Sequence, residues 1–224
     1  MDWLAVWVLA VVEGLTEFLP VSSTGHMILV SSLMGWKQTP LLELFEVFIQ
    51  LGAILAVLTL YYPRFLRGPV IYFKLFIAFL PTGLVGFLAY QTIKEYLFNA
   101  VTVSISLVVG GVVLILLDRW SDRRESRHTS IESMPYTALI KVGLVQCISM
   151  IPGVSRAAAT IFGGVSVGLS RALAAELSFL LALPTMAAAT GYDLLKQYDQ
   201  ISSDAWPMLL TGGLVAFGVA LLAV

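Results

Sequence analysis

Charge is scarce in this sequence. Of its 224 residues, 12% are Asp, Glu, Lys or Arg and 58% are hydrophobic, where an ordinary soluble domain is roughly 25% charged. That much apolar side chain exceeds what one soluble core of this size hides, so lipid is its natural solvent. The formal net charge of −1 excludes the basic surface that nucleic acid demands, and no nucleic-acid partner is expected. Cysteine is nearly missing. Cys147 stands alone, which excludes an internal disulfide and leaves it as small apolar filler. Histidine is scarce too: His26 and His128 are the only two, and His128 falls in a polar loop, which argues against a zinc site. A leader peptide is not legible. Met1-Asp2-Trp3 has no positive start and Glu13 interrupts the apolar stretch, so the start is expected to stay in the mature fold. The longest polar stretch, about Asp118 to Ser133, has only loop length and leaves no soluble domain.

What is present is apolar runs of membrane length. Crossing the hydrocarbon takes about 20 residues, and five segments qualify: about Leu44–Tyr62, Val70–Tyr90, Val101–Leu117, Ala172–Leu195 and Ala205–Val224. Two further stretches are interrupted. Trp3–Leu19 is halted by Pro20 and a Ser-Ser-Thr-Gly cluster before resuming at His26–Met34, and Ala138–Ile151 is halted by Pro152-Gly153 before resuming at about Ser155–Gly168. A polar break at membrane depth survives only inside protein or beside a wet cavity, so both are read as re-entrant hairpins.

The two breaks belong to a repeat. Pro20-Val21-Ser22-Ser23-Thr24 resembles Pro152-Gly153-Val154-Ser155-Arg156, and Phe45-Glu46-Val47-Phe48-Ile49 resembles Ala175-Glu176-Leu177-Ser178-Phe179. The expectation is one membrane domain over 1–224, with repeat half one at 1–120 and half two at 135–224. Three spans in the first half place the second upside down, and inverted repeats put a site near the midplane. The fold class is therefore all-α integral membrane: an inverted-repeat helical bundle with two re-entrant hairpins and about five spanning helices. The counterpart of Val101–Leu117 would fall beyond Val224, so a sixth span is expected to be absent, by nature or by truncation.

Orientation follows the basic residues of short loops. Arg64, Arg67, Arg119, Arg123, Arg124 and Arg127 fall on one side, against Lys37, Lys94 and Lys196 on the other. The arginine side is read as cytoplasmic, so the first hairpin enters from outside.

The chemistry sits at the breaks. Glu13 and Glu17 share a helix face four residues apart, and two carboxylates in an apolar segment must pair, share a proton or hold a cation. A hard divalent cation, Mg²⁺ or Ca²⁺, bound jointly with phosphate oxygens answers that need; a structural pair meeting an Arg is the plainer alternative. Ser22, Ser23, Thr24 and Gly25 stand at a new helix start, where free N–H groups and hydroxyls form an anion site. His26, three residues after Ser23, puts an imidazole within reach of a hydroxyl, a transfer-chemistry pair. The second hairpin adds Gly153, Ser155 and Arg156, the last a fixed cation suited to phosphate or to pairing with Glu13 or Glu17.

At these residues the chain resembles the undecaprenyl-diphosphate phosphatase family, the bacitracin-resistance type. Glu13-Gly-Leu-Thr-Glu17-Phe-Leu-Pro-Val-Ser-Ser-Thr-Gly-His26 is similar to its first motif throughout, and Pro152-Gly-Val-Ser-Arg-Ala-Ala-Ala-Thr160 to its second. Phe45–Gly52 and Ala175–Pro184 resemble further family segments. The family's serine after the motif arginine is Ala157 here, which removes a hydroxyl.

The resemblance implies a hydrolase that removes the terminal phosphate of a polyprenyl diphosphate lipid and so recycles the cell-wall carrier. It implies a multi-pass place in the bacterial inner membrane among membrane lipids, with the site on the periplasmic side, and it leaves oligomerisation open. Carried over by position, Glu13 and Glu17 hold the metal and diphosphate. Ser23 attacks or positions the terminal phosphorus, and His26 moves the proton or is itself the nucleophile. Arg156 neutralises the transferred phosphoryl, while Ser22, Thr24, Gly25, Gly153, Ser155 and Thr160 line the substrate. The alternative reading is a transporter that flips a polyprenyl-phosphate lipid, because broken helices in inverted repeats are typical of transporters.

Overall fold

The computed structural model describes residues 1–96, 100–121, 126–197 and 203–224. Arg123 and Arg124, part of the orientation argument, lie outside the described residues, as does the side chain of Lys94. The described chain is helical, and its only extended pairing is a single bridge between His128 and Leu169. In chain order the helices are α1 (Trp3–Thr16), α2 (Ser23–Leu33), α3 (Pro40–Leu60), α4 (Tyr62–Phe65), α5 (Val70–Tyr96), α6 (Ala100–Ser121), α7 (Tyr136–Gln146), α8 (Arg156–Ser166), α9 (Arg171–Gln197) and α10 (Trp206–Ala223).

Five of these are long and apolar enough to cross a membrane, at Pro40–Leu60, Val70–Ala89, Val101–Arg119, Arg171–Lys196 and Ser203–Ala223. They coincide with the five expected spans to within a few residues. The other apolar segments are short. α1 and α2 have 14 and 11 residues, and α7 and α8 have 11 each, below the roughly 20 that a crossing requires.

Local chemistry sets the boundaries. Asp2 caps α1 by accepting from the Ala5 N–H at 2.8 Å, and Thr39 caps α3 with Pro40 in its first turn. Such oxygens satisfy amides that a helix start leaves without partners. Pro81 and Pro184 sit inside α5 and α9. Each deletes one helical hydrogen bond near the middle of a span.

Packing divides into two main cores. One joins α1, α2, α3 and α10 around Leu9, Met27, Phe45 and Leu209. The other joins α7, α8, α5 and α9 around Leu75, Leu139, Val165 and Leu177. The helix pairings run in parallel: α1 packs on α10 as α7 packs on α5, and α3 packs on α10 as α9 packs on α5. α3 against α9 joins the two sets. In lipid, such association rests on close packing rather than on water exclusion.

α6 stands apart. Only 6% of its spanning stretch is buried, and it touches α2 and α8 at the tips of the two short helix pairs. At the end of the bundle bearing α4, Arg64 forms ion pairs with Glu132 and Glu176, and Arg171 pairs with Asp118 at 3.0 Å. Arg64 is thus a packing residue as well as a charge in a short loop.

Candidate active site

The two breaks meet. A Cβ placed on Gly25 would lie 3.3 Å from the Cα of Gly153, so the turns touch backbone to backbone. Gly153 has φ +93°, and a Cβ there would come within 2.6 Å of the Val103 carbonyl of α6. That position needs glycine for both conformation and space.

Between the turns lies a charge chain. The Ser23 hydroxyl donates to Glu17 Oε2 at 2.6 Å. Arg156 Nη2 donates to Glu17 Oε1, also at 2.6 Å. Arg156 Nη1 donates to the Ser178 carbonyl of α9 at 2.9 Å. All three side chains are buried, so the ion pair is held at low dielectric with its hydrogen bonds made, the arrangement in which such a pair persists. Arg156 Nε is buried with no partner.

Glu13 lies behind Glu17. It is fully buried and neither of its carboxylate oxygens makes a hydrogen bond, although Glu17 and Ser23 are its polar neighbours. A buried carboxylate without partners is costly unless another group arrives. Glu13 and Glu17 therefore suit a divalent cation whose remaining ligands come from phosphate oxygens. Among the described residues no larger cluster of His, Cys, Asp and Glu exists.

Ser22 caps α2, accepting from the Gly25 N–H at 3.3 Å, with φ +63°. Left-handed backbone at a serine stores about 1–3 kcal/mol. It also turns the Ser22 carbonyl onto the first turn of α2, where it accepts from the His26 N–H at 3.1 Å and faces the His26 Nδ1 at 2.9 Å. A carbonyl accepts only, so Nδ1 carries a proton and donates it to the Ser22 carbonyl. The sequence places His26 beside Ser23; in the structure its ring is committed to Ser22, and Glu17 is the group bonded to Ser23.

The chain faces a cavity of about 630 Å³ lined by both turns and by α3, α5 and α9. Of the expected residues, Glu17, Ser22, Ser23, Thr24, Gly153, Ser155 and Arg156 line it. Glu13, Gly25, His26 and Thr160 stand outside that wall. Thr160 is fully buried; its hydroxyl donates to the carbonyls of its own helix turn and meets the Ser178 hydroxyl at 2.6 Å, so it braces α8 on α9. Ser155 Oγ caps α8 by accepting from the Ala158 N–H at 3.1 Å. Ala157 lines the cavity, so a hydroxyl at that position would have faced it.

Several lining groups were not singled out from sequence. Gln50 donates to Thr24 Oγ1 at 3.2 Å, and Glu46 accepts from the Ser31 hydroxyl at 3.1 Å. Behind the wall, Gln146 donates to Thr82 and Thr185 of the lining, both at 3.1 Å. The signal for two of them was available: Glu46 and Gln50 are polar residues four apart inside an apolar span.

The match to known proteins runs the length of the chain. The family model described as "Bacitracin resistance protein BacA" matches residues 6–224. The undecaprenyl-diphosphatase of Persephonella marina is 51% identical over 217 residues, covering 97% of this chain and 85% of that protein. That of Flavobacterium johnsoniae is 49% identical, covering 100% and 85%, and that of Aquifex aeolicus is 45% identical, covering 100% and 87%. On both grounds the chain belongs to the BacA bacitracin-resistance family.

Proposed function

We propose that this protein is a membrane phosphatase that hydrolyses undecaprenyl diphosphate to the monophosphate and inorganic phosphate. The observation that carries this reading is the line Ser23–Glu17–Arg156 in the cavity wall: a hydroxyl bonded to a carboxylate that is itself bonded to a guanidinium. The relatives' printed name supports the same substrate.

In this reading the terminal phosphoryl enters against Ser23 and Arg156. Ser23 Oγ bonds to the terminal phosphorus while its proton passes to Glu17 Oε2. The bond to the bridging oxygen breaks, and the lipid monophosphate leaves with the electron pair. Water then cleaves the phosphoserine, phosphate departs and Ser23 regains a proton. Arg156 exchanges Glu17 for the phosphoryl oxygens and offsets the charge they carry, the main requirement of this chemistry. Thr24 and Ser155 supply hydroxyls beside the headgroup, and α2 and α8 direct their N-termini to it. His26 holds the strained Ser22 turn that aims Ser23. Glu13 and Glu17 would hold Mg²⁺ or Ca²⁺, which supplies neutralising charge to the diphosphate.

The short helix pairs are read as re-entrant, with the site opening to the periplasmic side of the bacterial inner membrane. The arginines at the opposite end support that orientation.

The test is direct. Purified protein in detergent, given undecaprenyl diphosphate and Mg²⁺ or Ca²⁺, releases phosphate, and a chelator stops the release. Release that persists after Ser23→Ala would sink the assigned nucleophile; no release from the unaltered protein would sink the phosphatase.

A further inference from the structure

A threonine hydroxyl has one proton to give, and most threonines of this bundle give it to backbone. Thr16, Thr59, Thr160 and Thr185 each donate to the carbonyl four residues back in the chain, the usual outlet for a hydroxyl inside a helix. Thr82 donates across to the Gly143 carbonyl of α7. Thr24 has neither outlet. It is the second residue of α2, so no carbonyl of its own helix lies four residues behind it. Among the described residues its hydroxyl meets one partner, and there it accepts: Gln50 Nε2 donates to Thr24 Oγ1 at 3.2 Å.

The network around Gln146 shows how such a chain is completed. Gln146 Nε2 donates to the hydroxyls of Thr82 and Thr185, and each hydroxyl passes its own proton to a carbonyl. Amide, hydroxyl and carbonyl follow one direction, because an amide nitrogen only donates. At Gln50 and Thr24 the first two members are in place and the protein supplies no third. Both residues line the cavity, Gln50 buried and Thr24 half-buried. Ser23, beside Thr24, gives its proton to Glu17, so the missing acceptor belongs where the headgroup sits. Gln50 also reaches from a fixed backbone. Gly52, on roughly the opposite face of α3, lies against the backbone of Gly213 in α10 with no room for a Cβ between them.

We infer that Gln50 is a positioning residue for headgroup recognition: by donating to Thr24 Oγ1 it turns the threonine proton into the cavity, where that proton is donated to an oxygen of the diphosphate. This rests on the phosphatase reading. The substrate oxygen takes the place that a backbone carbonyl holds beside Thr82 and Thr185. A donor already aimed before the headgroup arrives needs no reorientation when it binds, which is what makes a fixed dipole effective against developing charge. Gln50 itself touches no substrate in this arrangement; it acts through the hydroxyl.

The experiment is a double-mutant cycle on kcat/KM for undecaprenyl diphosphate in detergent with Mg²⁺. Thr24→Val deletes the hydroxyl, and one hydrogen bond to a charged oxygen is worth about ten- to a hundredfold. Gln50→Glu keeps the size of the side chain and its bond to Thr24 but reverses that bond. A carboxylate only accepts, so it takes the proton that Gln50 leaves to the substrate. The loss caused by Gln50→Glu beside Thr24 is therefore expected to exceed its loss in the Thr24→Val background by about ten- to a hundredfold. The second background reads the effect of the added charge alone. Gln50→Leu frees the proton among three staggered positions, a loss of about threefold or more, and adds nothing once Thr24→Val is present. Equal losses from Gln50→Glu in both backgrounds would overturn the inference, since a strut that merely holds α2 survives the reversed bond. A Gln50→Leu protein with unaltered kcat/KM would overturn it as well. Should Gln50→Glu fail to fold, the Gln50→Leu cycle decides, and losses that multiply with Thr24→Val refute the assignment. No phosphate release from the unaltered protein would overturn the phosphatase reading, and this inference with it.

Discussion

Replacing Arg156 with lysine separates what its charge does from what its shape does. The guanidinium reaches two acceptors at once, Glu17 Oε1 at 2.6 Å and the Ser178 carbonyl at 2.9 Å. A lysine keeps the charge but has one ammonium at the end of a flexible stem, so it meets one acceptor well and loses the other. One charge-assisted hydrogen bond lost is about 1.5–3 kcal/mol of stability. Under the proposed mechanism the catalytic loss is larger, because the Nη2 that turns from Glu17 to the phosphoryl is aimed by the hold of Nη1 on the Ser178 carbonyl. Losing one preorganised donor lowers kcat about a hundred- to a thousandfold. Arg156→Ala goes further. It leaves Glu17 charged, buried and unpaired, costing about 3–5 kcal/mol, and its rate falls at least as far. The assay is phosphate release from undecaprenyl diphosphate in detergent, alongside thermal unfolding of each variant. A folded Arg156→Lys protein within about threefold of the wild-type rate, a ΔΔG‡ under roughly 0.7 kcal/mol, would refute the bidentate role.

Three further outcomes are expected. Glu17→Gln removes the acceptor of the Ser23 proton and one partner of Arg156, so phosphate release falls about a hundredfold or more; radiolabelled substrate reads it. Gly153→Ala forces a φ of +93° on a residue with a Cβ and drives that Cβ to 2.6 Å from the Val103 carbonyl, so unfolding shifts down by about 1–3 kcal/mol; a thermal scan in detergent checks it. Ala157→Ser adds a hydroxyl to the cavity wall, and a single hydrogen bond to phosphate lowers KM by about tenfold or less; steady-state kinetics decide it.

Much of the fold was legible because apolar run length is a strong signal in lipid. The five spans agree with their expected bounds, the largest difference being α3, which starts at Pro40 rather than Leu44 because Thr39 caps it. The two breaks were legible from Pro20 and Pro152 with their hydroxyl neighbours. The exact helix starts were not: α2 begins at Ser23, three residues before the apolar run resumes, because Ser22 adopts a left-handed backbone that spacing does not announce. In the site, the pairing of Arg156 with Glu13 or Glu17 was legible from charge, and the structure takes Glu17; Ser23 was paired with His26, and its bond to Glu17 was not foreseen. The direction of His26 was not legible, since it depends on where the Ser22 carbonyl points. Thr160 sat in the right motif, but helix geometry turned it toward Ser178. Glu46 and Gln50 showed as polar residues four apart in an apolar span, but their partners Ser31 and Thr24 did not, and Gln146 of α7 has no local pattern to betray its contacts with Thr82 and Thr185.

The thin attachment of α6 has its own consequence. Val103, Ser106 and Leu107 of this helix press on Gly153 and Gly25, one from each turn, while most of the helix beyond them is unburied, apart from the pairing of Asp118 with Arg171. The bilayer is then a structural component of the site: lateral pressure on α6 is transmitted to both turns together. Stripping lipid with a harsh detergent relaxes that clamp without unfolding either core, so activity decays before helicity does, and adding phospholipid back to such a preparation restores it.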